Sequence, residues 1–166
     1  YQDSHSTILG PDGRVSPAVR AARERGVIFD VANANAHFSF RVARAAIADG
    51  FLPDTISTDL TNMGLYRRPN AFNLLHIMSK YLNLGLTLEQ VIERTTRNPA
   101  RIIGRPELGC LAEGGVADIA VFRQEDREID YGTGRGTTAE ILRGSIMLRT
   151  MLTMREGALV YRDQAF

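Results

Sequence analysis

The sequence predicts an α/β fold of parallel strands joined by crossover helices, followed by antiparallel β-structure. Over the first sixty residues, segments of helical and strand pattern alternate, which is typical of parallel strands with intervening helices. A helical block follows. From about residue 117 the chain consists of short β-branched and apolar runs separated by glycine-containing turns, a pattern that favours antiparallel pairing.

The first part contains two predicted helices, each followed by a strand. Residues 16–26 open with Ser-Pro and close with Gly, which are typical start and end signals of a helix. The apolar run Val27–Val31 has strand character. Residues 39–50 open with a capping Ser and end in Gly, which predicts a second helix. The residues Thr55–Thr58 are mostly β-branched and predict a second strand parallel to the first.

The helical block contains three predicted helices. Asn70 can cap a helix over residues 71–84, whose leucines and methionine form an apolar stripe. Residues 87–90 read Thr-Leu-Glu-Gln, a capping box that opens a helix to about Arg97. Asn98-Pro99 begins a short helical turn that Gly104 ends.

The last part predicts four strands, at residues 117–122, 140–143, 145–154 and 158–161. Gly144 and the pair Glu156-Gly157 are expected to supply turns. The glycine-rich run Gly132–Gly136 does not follow a strand and open a helix, so we interpret it as a flexible loop rather than a dinucleotide site. A domain boundary is expected near residues 104–112, which divides the chain into residues 1–107 and 108–166.

Composition argues against several classes of function. The 166 residues are 44% hydrophobic and 23% charged, as in an ordinary globular protein with one core. A net charge of +1 gives no electrostatic reason to expect nucleic acid or an anionic membrane as a partner. No run of eighteen apolar residues predicts a membrane span. A single cysteine excludes an internal disulfide framework, so a reducing, cytoplasmic location is expected.

Asp59 is the strongest candidate for a catalytic residue. It ends the predicted strand Thr55–Thr58 and enters a loop before the next helix. Barrel enzymes carry their catalytic groups at the carboxyl ends of strands, where the following loops face the active site. The competing interpretation is a carboxylate that caps the next helix, which is a common use of Asp.

Three segments in this order resemble the C-terminal part of the amidohydrolase superfamily, within its dihydroorotase-like, deacetylase-type branch. They are Pro53–Leu60, Asn98–Gly104 and Ala117–Phe122. The resemblance implies a distorted metal-dependent (β/α)₈ barrel, of which residues 1–107 would supply strands 7 and 8 with their helices. Residues 108–166 would contribute a portion of a small β-sandwich.

The resemblance also implies a chemistry. The family hydrolyses an amide, either cyclic or N-acyl, or an ester, with a metal-activated hydroxide. Zinc is the expected metal, binuclear in the complete enzyme, with most ligands outside this chain. Asp59 would bind the metal, take the proton from the bound water and pass it to the leaving group.

The loop after the first strand would border the substrate. It offers Asn33, Asn35 and His37 as donors and acceptors, and the following Phe38–Phe40 run matches the family pattern. Asn33 stands where the family often has a histidine, which leaves the identity of the substrate open. A loop that hydrogen-bonds its own backbone is the alternative. Of the other histidines, His5 could approach an active site, whereas His76 is expected to be structural.

The chain begins at Tyr1 in a polar, loop-like stretch, so a piece of a longer protein is the plain interpretation. A missing N-terminal barrel segment or a partner chain would then complete the barrel. A small-molecule substrate is expected, and a homo-oligomer is compatible with the sequence. A different class of function stays open, that of a non-catalytic remnant or interaction module that retains half of the barrel. An upstream His-x-His sequence would favour the enzyme.

Overall fold

Two sheets organise the computed structural model, which describes residues 1–3, 6–33, 37–62, 72–134 and 139–166. A parallel pair comprises β1 (Asp30–Val31) and β2 (Thr55–Ile56), and an antiparallel sheet comprises β3 (Ile119–Thr133), β4 (Glu140–Arg155) and β5 (Ala158–Arg162) in the order β3-β4-β5. The predicted succession of a parallel and an antiparallel part is therefore present.

Short helices connect and cover these strands. Their bounds are α1 Pro17–Glu24, α2 Phe40–Ala48, α3 Leu74–Asn83, α4 Leu88–Thr95 and α5 Arg97–Ile102, followed by a 3₁₀ helix at Pro106–Gly109. The predicted caps of α1, α2 and α4 are confirmed, including the reciprocal bonds between Thr87 and Gln90. Among the described residues, each helix is too short or too polar to cross a bilayer.

The parallel pair is confirmed but is shorter than predicted. Asp30 pairs with Thr55 and Val31 pairs with Ile56, with α2 as the crossover between the strands. Val27 and Ile28, which the apolar pattern assigned to the first strand, are 48% and 51% exposed and lie outside the ladder. Residues of strand composition form a ladder only where a partner strand lies beside them.

The start of α3 is a correction to the prediction. Asn73 is the cap, since its Oδ1 accepts a hydrogen bond of 2.8 Å from the amide of His76. The predicted cap, Asn70, and the predicted first residue, Ala71, lie outside the described residues. Both asparagines precede an apolar stripe, so the local pattern does not distinguish them.

The hairpin of β3 and β4 corrects four further predictions. β3 continues to Thr133 instead of ending near Phe122, and β4 is one strand of 16 residues instead of two. Gly144 lies inside β4 and makes no turn. A Cβ atom at Gly144 would lie 2.4 Å from Cγ of Asn83, so the glycine permits close approach of α3. Thr133 is paired and buried, so the expected flexible loop does not include it.

One hydrophobic cluster joins the two sheets. It contains Val31 and Ile56 of the parallel pair, Tyr81 of α3, and Tyr131 and Leu148 of the antiparallel sheet. The expected division at residues 107 and 108 stays a prediction, because these side chains pack across it. The core therefore fixes the position of the parallel strand ends relative to the β3–β4 hairpin.

Candidate functional site

The parallel pairing brings two predicted site residues to one edge of the sheet. Asn33 follows β1 by two residues and Asp59 follows β2 by three. The carboxyl ends of parallel strands lie at the same edge. The amide of Ser57 donates to the carbonyl of Val31 over 3.2 Å and extends the contact beyond the ladder.

Asp59 is exposed and has an unusual backbone conformation. Its φ of 48° lies in the left-handed region, which costs a non-glycine residue about 1 kcal/mol or more. The hydroxyl of Thr58 accepts a hydrogen bond of 3.3 Å from the amide of Leu60 and closes the turn around Asp59. Within the described ranges the Asp59 carboxylate has no ion pair or hydrogen bond.

Asn33 is buried, with 1% of its surface exposed. Its side-chain amide donates to the carbonyl of Val31 over 3.0 Å and to the carbonyl of Ser57 over 2.7 Å. Both donors of the side chain are therefore occupied by the ends of the two strands. The predicted contact between Asn33 and a substrate stays a prediction.

A second polar group is buried beside Asn33. This second group is the hydroxyl of Tyr81. Among the described residues, neither the Tyr81 hydroxyl nor the Oδ1 of Asn33 has a hydrogen-bond partner of good geometry. Burial raises the pKa of Tyr81 well above its ordinary value, and the neighbouring Asn33 side chain lowers it in part.

The remaining predicted residues lie partly outside the described residues. Asn35 and His5 are not described. His37 is exposed and immediately precedes Phe38, which is buried. His76 packs against the rings of Phe72 and Tyr131 with centroid distances of 5.1 and 4.9 Å, in agreement with a structural role.

Sequence reasoning missed a polar contact on the face opposite Val31 and Ile56. There Asp30 accepts hydrogen bonds from the hydroxyl of Thr55 over 2.6 Å and from the hydroxyl of Ser57 over 2.7 Å. Strict alternation along the two strands places these three side chains on one face. The contact locks the register of β1 against β2 with one carboxylate.

Lys80 is the other residue that sequence reasoning missed. It is 1% exposed, and its Nζ lies 3.8 Å from the centroid of the Phe38 ring. Burial lowers the pKa of Lys80 to about 7. It is the only lysine of the chain, since the other 19 of its 20 Lys and Arg residues are arginines. A single lysine among 19 arginines is a feature of the sequence that could have drawn attention to Lys80.

Lys80 also affects a neighbour. Burial lowers the pKa of His76 to about 4, and the positive charge of Lys80 contributes to the same shift. In the part of the chain that the structure describes, no carboxylate forms an ion pair with Lys80. Both cationic forms are therefore disfavoured in this region of α3.

The described residues do not make a complete metal site. Across ranges 1–3, 6–33, 37–62, 72–134 and 139–166, no group of three or more His, Cys, Asp and Glu side chains is placed to hold a metal ion. Asp59 offers one oxygen ligand of a suitable type. A metal bound at this edge would need further ligands from elsewhere.

Sequence comparison gives a family and named relatives. Residues 6–145 match the Amidohydrolase family. The chain is 36% identical over 140 residues to a deacetylase of Agrobacterium fabrum, a match that covers 84% of this chain and 34% of the relative. It is 31% identical over 128 residues to a dihydroorotase of Pediococcus pentosaceus, covering 71% of this chain and 29% of the relative.

Solved structures share the fold. A dihydroorotase with 29% identity superposes with a TM-score of 0.74, covering 94% of this chain and 42% of that one. An adenine deaminase with 23% identity superposes with a TM-score of 0.86, covering 98% of this chain and 43% of that one. The chain thus has an α/β fold that matches part of a TIM-barrel hydrolase. It spans about a third of the length of the curated relatives.

Proposed function

The chain belongs to the amidohydrolase family, and from this premise we propose that it is part of a metal-dependent hydrolase of C–N bonds. The substrate class is an N-acyl compound or a cyclic amide, with an ester as the related alternative. The parallel pair of β1 and β2 supports this proposal, because Asn33 and Asp59 follow the carboxyl ends of its two strands.

The proposal gives the two sheets positions in a larger fold. β1 and β2 would be strands 7 and 8 of the barrel, and β3–β5 would be a portion of a β-sandwich. Val27 and Ile28 precede β1 and are exposed, which supports a barrel completed by further chain, since apolar side chains beside the strands of a barrel are usually covered. The relatives have such additional length, because the matched region is only 34% of the deacetylase.

Asp59 would be the general base and then the general acid. Members of the family are generally metal-dependent, and zinc is the metal we propose. When bound, a divalent metal makes hydroxide available at neutral pH. The exposed Asp59 carboxylate would be one ligand, would accept the proton of the attacking water and would give it to the leaving nitrogen.

The loop after β1 would border the substrate. Asn33 holds the beginning of this loop against both strand ends, while exposed His37 lies at its far end. We propose that His37 and Asn35 contact the substrate, and that Asn33 acts mainly by fixing the loop. Imidazole and amide groups can each donate to or accept from an amide substrate.

An assay of the intact protein tests this function. Zinc content and hydrolysis are measured with N-acetyl amino acids, with dihydroorotate and with a carboxylic ester. We expect turnover of at least one compound, its loss after chelation and its return with added zinc. Absence of turnover with all three classes, or turnover that chelation leaves intact, would contradict the proposal and favour a non-catalytic module.

A further inference from the structure

We infer that Thr133 and Glu140, at the end of the β3–β4 hairpin, are positioning residues that fix the loop bearing His37. This inference rests on the proposed function, in which that loop borders the substrate. The two residues pair with each other as the last pair of the ladder before the connection. They therefore act from the antiparallel sheet on a loop of the parallel part.

Thr133 holds the loop through its backbone. It is buried, and its hydroxyl donates to the carbonyl of Phe38 over 2.7 Å. Phe38 is the residue directly after His37. A hydrogen bond between buried groups is costly to remove, because the carbonyl would be left without a partner.

Glu140 holds the next residues with both carboxylate oxygens. Its Oε1 accepts a hydrogen bond of 3.1 Å from the hydroxyl of Ser39. Its Oε2 accepts from the amide of Phe40 and, over 3.4 Å, from the amide of Arg41. The carboxylate thus satisfies the first free amides of α2 and lies at the positive end of that helix.

Packing fixes the same segment from the other side. The ring of Phe38 makes edge contacts with Tyr1, Phe40 and Tyr81 at centroid distances of 5.8, 5.4 and 6.2 Å. The Nζ of Lys80 lies on its face. The backbone after His37 therefore has a fixed position, and Asn33 fixes the backbone before the loop.

The hydrogen bonds of Thr133 and Glu140 to the segment after His37 have a consequence for substrate binding. A contact residue held within about half an ångström contributes more than one on a loose loop. Loss of the hairpin anchor should weaken substrate binding while leaving the exposed Asp59 in place. The expected signature is a higher KM with little change in kcat, as for an interaction equally strong in the ground and transition states.

The test uses Thr133→Val, Thr133→Ser, Glu140→Ala and the control Glu128→Ala in the intact protein. Glu128 is an exposed carboxylate of the same hairpin. The rate of hydrogen exchange at the Phe40 and Arg41 amides measures whether Glu140 holds these amides. Steady-state kinetics with the compound that the wild type hydrolyses measures the effect on KM and kcat. We expect faster exchange in Glu140→Ala and a KM raised roughly 3- to 10-fold in Thr133→Val and Glu140→Ala, with kcat within about twofold.

Thr133→Ser should restore the KM of the wild type, because it keeps the hydroxyl, and Glu128→Ala should match the wild type in both measurements. If Glu140→Ala does not fold, the comparison of KM between Thr133→Val and Thr133→Ser decides whether the hairpin affects substrate binding. Unchanged exchange, or an unchanged KM in Thr133→Val, overturns the inference. A wild type that hydrolyses none of the compounds overturns the proposed function instead, and exchange at Phe40 and Arg41 then still decides whether Glu140 anchors the loop.

Discussion

At the scale of single residues, Asn33 shows how a polar side chain can replace a strand ladder. The regular pairing stops at Val31 and Ile56, and the Asn33 side chain then donates to one carbonyl from each strand end. The family resemblance predicts that this residue contacts substrate, because the loop after this strand borders the substrate in the family. It interacts there with Tyr81 of α3, a helix that lies far away in the sequence.

We predict that Asn33→Asp destabilises the fold more than Asn33→Ala at pH 7. The aspartate would direct carboxylate oxygens at the carbonyls of Val31 and Ser57, where the native side chain has donors. We expect the free energy of unfolding to fall by about 2–3 kcal/mol, as measured by urea denaturation. The loss should shrink as the pH falls towards 4, because a protonated carboxyl regains a donor. An unchanged urea midpoint for Asn33→Asp would show that the two hydrogen bonds of Asn33 do not stabilise the fold.

Lys80 provides a second prediction at this scale. Its pKa is about 7 in the folded protein and 10.5 when exposed, because burial disfavours the ammonium form. Between these values the unfolded chain binds more protons than the folded one. The free energy of unfolding should therefore rise with pH, by about 3 kcal/mol from pH 7 to pH 9.5.

Because Lys80 is the only lysine, ¹³C-lysine labelling gives a single side-chain signal whose titration can be followed by NMR. We expect a midpoint near 7 in the folded protein and near 10.5 in urea. The variant Lys80→Met should lose the rise in stability between pH 7 and 9.5. A folded-state midpoint above 9 would show that the ammonium reaches solvent.

At the scale of elements, the sequence predicted the features that depend on neighbouring residues, such as helix caps. The caps of α1, α2 and α4 were readable because a cap and the amide it satisfies lie within three residues of each other. The full length of β3 was not readable. Its second half is highly charged and pairs with the opposite residues of β4, with ion pairs such as that of Asp130 with Arg143 at 3.9 Å.

Gly144 is the clearest example of a non-local cause. Glycine between two short apolar runs indicates a turn, yet here it makes room for Asn83 of α3. The Asn83 side chain donates to the carbonyl of Ile146 and accepts from the amides of Ser145 and Ile146. One asparagine therefore joins the helix to the irregular part of β4.

We predict that Gly144→Ala costs about 1–3 kcal/mol of stability, because the new Cβ would overlap the Asn83 side chain. Asn83→Ala should also destabilise, through the loss of its hydrogen bonds. The double variant should lose less than the sum of the two, since truncated Asn83 leaves space for the methyl group. Urea denaturation of the four proteins measures this coupling, and strictly additive losses would contradict it.

At the scale of the whole molecule, the two sheets share one hydrophobic core. The sequence predicted the order of the two parts and the family, because the three motif segments are local. It could not predict that Tyr131 and Leu148 pack on the same cluster as Val31. Nor could it predict that Thr133 and Glu140 bind the loop after β1, since these contacts join residues about a hundred positions apart.

The most direct test of the proposed hydrolase is the variant Asp59→Asn in the intact protein, with Asp126→Asn on β3 as the matched control. Turnover and bound zinc are measured for each protein, and circular dichroism confirms folding. We expect Asp59→Asn to remain folded and to lose about 10²–10⁴-fold in kcat, because it lacks the carboxylate that accepts the proton. The control should keep the kcat of the wild type. A folded Asp59→Asn protein with near-normal turnover would contradict the catalytic role of Asp59.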